Sequence, residues 1–297
     1  MQQIQFSTFG GPDVLQLAEV DAPAPGPGEI LITVTAAAVN PLDWKIRRGL
    51  MAEQFPTTFP AGMGSDASGH VIAIGDGVSG VAVGDPVYGL GRNTYAEQAI
   101  LFAWAPVPDS VDVGEAAGWG AVTETAARVL DELGLADGET VLISGASGGV
   151  GTATVQLAAA RGLSVIGTAS AANQDYLTSL GATPLPYGDR LVQRVAAVAP
   201  NGVDGAVDVS GSGVLDDLVE ITGTADRVIS IADPQAAVVR GVRTTTVGAN
   251  APAAFAEAAS VPRFRIPVQS RYRLADAGAA QEENAAGHTR GKIILLP

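Results

Sequence analysis

The run Thr140-Val-Leu-Ile-Ser-Gly-Ala-Ser-Gly-Gly-Val-Gly151 constrains this chain more than any other feature. It reads as a fully apolar strand over Thr140–Ser144, a glycine turn, and a helix over Val150–Arg161 with alanine and leucine along its face. The spacing Ala146-x-Gly148-x-x-Gly151 is the dinucleotide fingerprint with alanine in its first place. Each small residue has a mechanical task. The first permits the tight turn, Gly148 lets the backbone approach a pyrophosphate, and Gly151 lets the helix pack close to the strand. The helix N-terminus adds N–H donors and a positive dipole end for the anion. An ordinary βα turn can carry the same letters, but here the turn sits between an apolar strand and a helix inside a longer βαβ train.

That train begins near Glu115. Strands are expected at Ser164–Thr168, Val203–Val209 and Arg227–Ala232, with helices at Ala171–Leu180 and Gly213–Ile221 between them. The rhythm indicates a parallel sheet covered on both faces. The chain before it is β-rich, with strands expected at Ile30–Thr35, His70–Ile74 and Pro86–Gly89, separated by Gly/Pro turns. After about Ala259 the β pattern returns, with Ile266–Gln269 and Lys292–Leu296 flanking a helix near Leu274–Glu283. The reading is an α/β protein: a β-rich domain from residues 1–115 and 256–297, and a doubly wound domain over 116–255.

Composition removes several classes of function. A net charge of −14 over 297 residues opposes nucleic acid and anionic membrane surfaces, both of which need clustered Lys and Arg. No apolar run approaches the roughly 20 residues that span a bilayer. The first residues, Met-Gln-Gln-Ile-Gln-Phe-Ser, lack the basic start and apolar core of a signal peptide, so a cytoplasmic location is expected. There are no cysteines and only two histidines, His70 and His288, which leaves no thiolate or His-rich metal set. No metal site is expected.

The choice of dinucleotide turns on the end of the second strand of the train. A site for NAD usually carries Asp or Glu about 20 residues after the glycines, to hold the ribose diol. Here no acid occurs between Glu139 and Asp175, which favours NADP(H), with Ser170 and Asn173 as donors to the 2′-phosphate. No Arg, Lys or His occurs from Gly162 through Asp189, so the cation that usually accompanies such a phosphate is missing from this stretch.

With these elements placed, the sequence resembles the zinc-free quinone oxidoreductase branch of the medium-chain dehydrogenase/reductase superfamily. The resemblance runs over nearly the whole chain. It is carried by Val39-Asn-Pro-Leu-Asp-Trp-Lys45, Gly64-Ser-Asp-Ala-Ser-Gly69, Val83-Gly-Asp-Pro-Val-Tyr-Gly89, Thr94-Tyr-Ala-Glu97, Glu124-Thr-Ala126, the glycine turn and Gly287-His-Thr-Arg-Gly-Lys-Ile-Ile-Leu295. It implies a GroES-like β domain joined to a Rossmann domain, and hydride transfer from NADPH to a quinone or to the β-carbon of a conjugated ketone or aldehyde. It implies catalytic places for Asn40, Asp43 and Lys45 beside the nicotinamide. For the cofactor it implies Thr125 at the nicotinamide and Gly145, Ala146, Ser147, Gly148, Gly149 and Val150 around the pyrophosphate. Ser170, Asn173 and Tyr187 then fall at the adenosine end, and Ser230, Ile231 and Ala232 at the nicotinamide ribose or amide. Arg290 and Lys292 close the C-terminal return. A homodimer is the family expectation.

The chain holds 15 arginines and two lysines, Lys45 and Lys292, both inside the motifs just quoted, which suggests a use for a compact ammonium at each. Zinc-dependent relatives place Gly-His-Glu where this chain has Gly64-Ser65-Asp66. Without a metal to polarise a carbonyl, alcohol oxidation is disfavoured, whereas a quinone or enone is already an electrophile. Asn40 is then the expected orienting amide. No dedicated proton donor is evident, since Tyr88 and Tyr95 read first as packing residues and Asp43 equally as a structural carboxylate. An enoyl-thioester or polyketide tailoring reductase, and a non-catalytic NADPH-binding protein, are the alternatives.

Overall fold

The computed structural model describes residues 1–245 and 250–297. The chain divides into two compact units, one from residues 1–121 and 266–297 and the other from residues 122–265.

The first unit contains strands β1 (Gln2–Phe6), β2 (Gln16–Glu19), β3 (Ile30–Val39), β4 (Ala61–Gly62), β5 (Asp66–Ile74), β6 (Pro86–Arg92), β7 (Gln98–Pro106), β14 (Val268–Arg273) and β15 (Lys292–Leu296). Helices α1 (Pro41–Arg47), α2 (Val113–Ala116) and α10 (Ala277–Ala286) lie with them. β2-β1-β4 form a small sheet, and β14-β15-β3-β5-β6-β7 a six-stranded one in which β3 also pairs with β7. That extra pairing closes β3, β5, β6 and β7 on themselves and leaves them no free edge among one another. Ile4, Phe6, Ile30, Ile32, Tyr95 and Ile293 belong to the core inside it.

β6 runs three residues beyond its expected end, β1, β2, β4 and β7 have no counterpart in the sequence expectation, and three further strands depart from it for clear physical reasons. β3 runs on to Val39 through Ala36-Ala-Ala38, because all three alanines are wholly buried and burial overrides their weak strand preference. β5 begins at Asp66, four residues before the apolar run, since Ala67, Ser68 and Gly69 pair with both β3 and β6. β14 begins after Pro267, whose ring removes the ladder donor, and pairs parallel with β15.

The second unit carries the parallel sheet in the order β10-β9-β8-β11-β12-β13. Its strands are β8 (Thr140–Ser144), β9 (Ser164–Ala169), β10 (Thr183–Pro186), β11 (Gly205–Asp208), β12 (Val228–Ser230) and β13 (Arg243–Thr244). Helices α4 (Gly149–Ala160), α5 (Gln174–Ser179), α6 (Leu191–Val198), α7 (Leu215–Thr222), α8 (Pro234–Val239) and α9 (Ala251–Ser260) accompany it, and α3 (Gly120–Leu133) carries the chain in. β8 and α4 fall within a residue of where the sequence puts them. β12 is shorter than expected because a 3₁₀ turn at Ala225–Arg227 precedes it and Asp233 caps α8 shortly after it. The expected boundary at 255/256 lies ten residues before the observed one, and the reason is local. The Gln156 side-chain amide donates to the Arg265 carbonyl at 2.8 Å and accepts from its N–H at 3.0 Å, so this strand of chain belongs to α4.

Among the described residues no helix is long and apolar enough to cross a membrane.

Candidate functional site

In the second unit the glycine turn follows β8 and opens α4. Gly145 has φ of +84°, a backbone that L side chains rarely adopt. The tight turn is therefore made at Gly145, one place before the alanine of the fingerprint. Ala146 is wholly buried and donates its N–H to the Thr168 carbonyl at 2.9 Å, which ties the turn to β9. Gly151 is where helix meets strand: a Cβ there would lie 2.3 Å from the Gly145 carbonyl oxygen and 2.6 Å from the Ala146 Cα. In any α-helix the first N–H groups find no carbonyl within the helix, and in α4 these belong to Gly149 and Val150.

Around that turn the structure gathers uncharged donors. Asn173 Nδ2 donates to Ser147 Oγ and to Ser170 Oγ, both at 3.3 Å, so three expected cofactor residues from two loops form one set. Tyr187 follows β10, its N–H donating to the Ala169 carbonyl at 3.3 Å and its ring half exposed. These donors, at the carboxyl ends of β8, β9 and β10, suit a nicotinamide dinucleotide in chemistry and in place. When bound, a nicotinamide dinucleotide supplies a transferable hydride.

The far side of the turn is set by a residue the sequence reading passed over. Asp208, wholly buried at the end of β11, accepts from the Ser210 N–H (3.0 Å), Ser210 Oγ (2.8 Å) and Ser230 Oγ (3.0 Å). Ser210 Oγ also lies 2.9 Å from Ser144 Oγ, and a Cβ on Gly145 would meet the Ser210 Cβ at 3.0 Å. Ser230 thus turns inward to Asp208, and Ile231 donates its N–H to the Asp208 carbonyl at 3.0 Å. The signal was a lone carboxylate in the apolar run Gly205–Val209. Thr125, half-buried on α3, accepts a long bond of 3.4 Å from Arg128.

The first unit holds a cluster of a different kind. Asn40 follows β3 and is the N-cap of α1. Its Nδ2 donates to Asp66 Oδ1 at 2.7 Å and, at 3.4 Å, to Ser65 Oγ, while its Oδ1 accepts from Lys292 Nζ at 2.6 Å. Lys292 Nζ stands 3.8 Å from Asp66 Oδ2, which also accepts from the Ala121 N–H at 3.1 Å. Asp43 Oδ2 accepts from the Asn40 N–H at 2.7 Å, closing the first turn of α1, and from the Tyr95 hydroxyl at 2.7 Å. Asp43, Asp66 and Tyr95 are wholly or almost wholly buried, and Asn40 and Lys292 nearly so.

Burial sets the protons. It pushes the Asp43 carboxyl up to about 7, against the pull of the Tyr95 and Asn40 hydrogen bonds. It pushes Asp66 up as well, against the attraction of Lys292, and raises the Tyr95 hydroxyl well above the usual phenol range. Tyr95 is therefore a hydrogen-bond donor fixed on Asp43.

The expected catalytic trio is brought together only in part. Asn40 and Asp43 meet, whereas Lys45 lies half-buried with its ammonium 5.6 Å from the Trp44 ring centroid. Lys292, grouped by sequence with the cofactor residues, is instead the cation of the Asn40 cluster. Arg290 is exposed, its N–H donating to Gln269 Oε1 at 2.8 Å. Asp66 and Tyr95 were missed as members; an aspartate opening the otherwise small-residue stretch Asp66–Gly69 was the available clue for the first. His70 is exposed on β5, and His288 occupies a turn with φ of +66°. Among the described residues no three His, Cys, Asp or Glu side chains stand together as a metal-ligand group.

Comparison with known proteins places both units in known families. Residues 26–129 match the family described as "Alcohol dehydrogenase GroES-like domain" and residues 149–252 that described as "Zinc-binding dehydrogenase". Quinone oxidoreductase of Rattus norvegicus is 36% identical over 215 residues, which span 70% of this chain and 65%, just under two thirds, of the rat protein. Quinone oxidoreductase of Pseudomonas aeruginosa is 30% identical over 339 residues, covering 100% of this chain and 99% of that protein. Among solved structures, a mycobacterial protein complexed with NADPH superposes with a TM-score of 0.82 at 30% identity, covering 100% of both chains.

Proposed function

Because the chain belongs to the zinc-free quinone oxidoreductase branch of the medium-chain dehydrogenase/reductase superfamily, we propose that it is an NADPH-dependent reductase delivering a hydride to a quinone or a conjugated enone or enal, with no metal taking part. The observation that carries this reading is the donor set at the glycine turn. Ser147, Ser170 and Asn173 are linked through one amide, next to a helix N-terminus, and no acid stands at the end of β9 to favour a free ribose diol.

In this reading the N–H groups of Ser147, Gly149 and Val150 hold the pyrophosphate, Gly145, Ala146 and Gly148 shape the turn beneath it, and Ser170, Asn173 and Tyr187 hold the adenosine end. Thr125 and Ser230–Ala232 serve the nicotinamide end. Asn40 acts through orientation: with Asp66 on its amide nitrogen and Lys292 on its oxygen, it is held in a single flip state. Asp43 positions Asn40 by closing the first turn of α1, and Lys292 rather than Lys45 is the cation that holds the Asn40 amide. An acceptor that delocalises incoming charge needs orientation and a dry site more than a Lewis acid, and water provides the proton. Ser65, at the place where zinc-dependent relatives carry histidine, is a hydroxyl beside Asn40. A cytoplasmic location and a homodimer complete the proposal.

The test is NADPH consumption by purified protein across quinones, enones and an enoyl thioester, with and without a chelator. Turnover of quinones or enones that survives chelation is expected. Turnover of the enoyl thioester alone would assign a tailoring reductase, and binding without turnover on any acceptor a non-catalytic protein.

A further inference from the structure

A 2′-phosphate wants a cation, and the sequence between Gly162 and Asp189 offers none. The sheet order supplies one from further along the chain. β10 lies beside β9 in parallel register, with Pro186 opposite Ala169. The loop leaving β10 therefore emerges at the carboxyl edge of the sheet, next to the segment that carries Ser170 and Asn173. Arg190 ends that loop, three residues and at about 3.8 Å per Cα step from Tyr187.

Three observations single this arginine out. Among the described residues of the second unit, Arg190 and Arg263 are the two arginines whose guanidinium groups make no hydrogen bond or ion pair. Arg128, Arg161, Arg227 and Arg240 are each paired with acids, and Arg194, Arg243 and Arg265 donate to carbonyls. Second, the loop is held from behind. Arg194 donates to the carbonyls of Pro186 and Gly188, each at 2.9 Å, and to that of Asp189, which fixes the loop's path independently of the Arg190 side chain. Third, Arg190 sits at φ of +59° and ψ of 35°, a left-handed backbone uncommon for a residue with a side chain. Its neighbour Asp189 is exposed and forms no ion pair with it.

We propose that Arg190 is the residue that selects the phosphorylated cofactor, its guanidinium taking the 2′-phosphate beside Ser170 and Asn173. The assignment rests on the dinucleotide reading above. A guanidinium presents paired donors to a phosphate, and a ribose diol offers no charge for them to meet.

Dissociation constants for NADPH and NADH, measured by fluorescence titration, test it on the wild type, Arg190→Gly, Arg190→Lys and the control Arg263→Ala. Glycine accepts the left-handed backbone without strain, and Arg190→Gln read in the same way serves if the glycine variant does not fold. Arg190→Gly should weaken NADPH by about tenfold or more and leave NADH within about twofold, a charge-assisted contact to the phosphate being lost. Arg190→Lys should fall between, and Arg263→Ala should match the wild type. An unchanged ratio of NADPH to NADH affinity in Arg190→Gly, in a wild type that binds NADPH, would overturn the role of Arg190 alone. A wild type that binds neither dinucleotide would overturn the proposed function and this assignment together.

Discussion

The glycine turn and the Asn40 cluster handle polar groups in opposite ways. At the turn, the first N–H groups of α4 find no carbonyl within the helix, and the side chains around them are uncharged and part-exposed. In the cluster, two carboxylates, an ammonium, an amide and a phenol are buried and bonded to one another. The first region is built to receive an anion. The second is already satisfied, and what it offers is a fixed geometry. An open site should tolerate loss of a single donor and fail on loss of space, whereas a closed one should fail on loss of a single partner.

The largest effect should come from breaking the closed site. Lys292→Met leaves Asp66 buried without its cation and should cost about 3–5 kcal/mol in urea unfolding, the range for removing one member of a buried ion pair. Adding Asp66→Asn to that variant should recover a good part of the loss. A loss under about 1 kcal/mol would mean that water reaches the pair and that the contrast between the regions is false.

At the turn, Gly151→Ala puts a Cβ where the Gly145 carbonyl oxygen lies at 2.3 Å. The helix must move away from the strand, at about 1–3 kcal/mol for overpacking, and dinucleotide affinity should fall with it. Ser147→Ala, which removes one donor but no space, should change affinity only a few-fold. Equal losses in both variants would erase the distinction drawn here.

A smaller effect separates the two regions by pH. Asp43 keeps its proton to about 7 in the folded chain against an ordinary value of 3.8, so between those values the unfolded chain has released a proton that the folded chain still binds. Stability from this group is therefore lost as pH rises through that window. The stability of wild type relative to Asp43→Asn should decline from about pH 4 to about pH 7. A difference that stays flat, or grows with pH, would show that the carboxyl is not held in a dry site.

Local grammar decided how much of this could be read in advance. β8, the turn and α4 were legible because each letter has a local cause: an apolar strand, a positive φ and a close approach. Even so, the turn is made at Gly145, since Ala146 is spent on packing and on β9. The first unit was harder. Ala36-Ala-Ala38 carries no strand signal of its own and is extended because two neighbours cover it. The Asn40 cluster joins residues up to 252 positions apart, and no spacing rule relates Asn40 to Lys292. Lys45 matched a motif and lies on Trp44 instead, because the turn of α1 that aims Asp43 inward aims Lys45 elsewhere. Arg190 lies one residue past the cation-free stretch Gly162–Asp189, and its nearness to the end of β9 is set by the parallel pairing of β10 with β9, which no local pattern shows.

The most direct measurement is the melting temperature of the wild type and of Gly151→Ala with NADPH or NADH at a concentration far above the dissociation constant. Binding at about 100 times that constant adds about 2.7 kcal/mol, which for a chain of this size is a rise of several degrees. The wild type should show that rise with NADPH and a smaller one with NADH, and Gly151→Ala should show little with either. No rise in the wild type with either dinucleotide would contradict the assignment of the glycine turn.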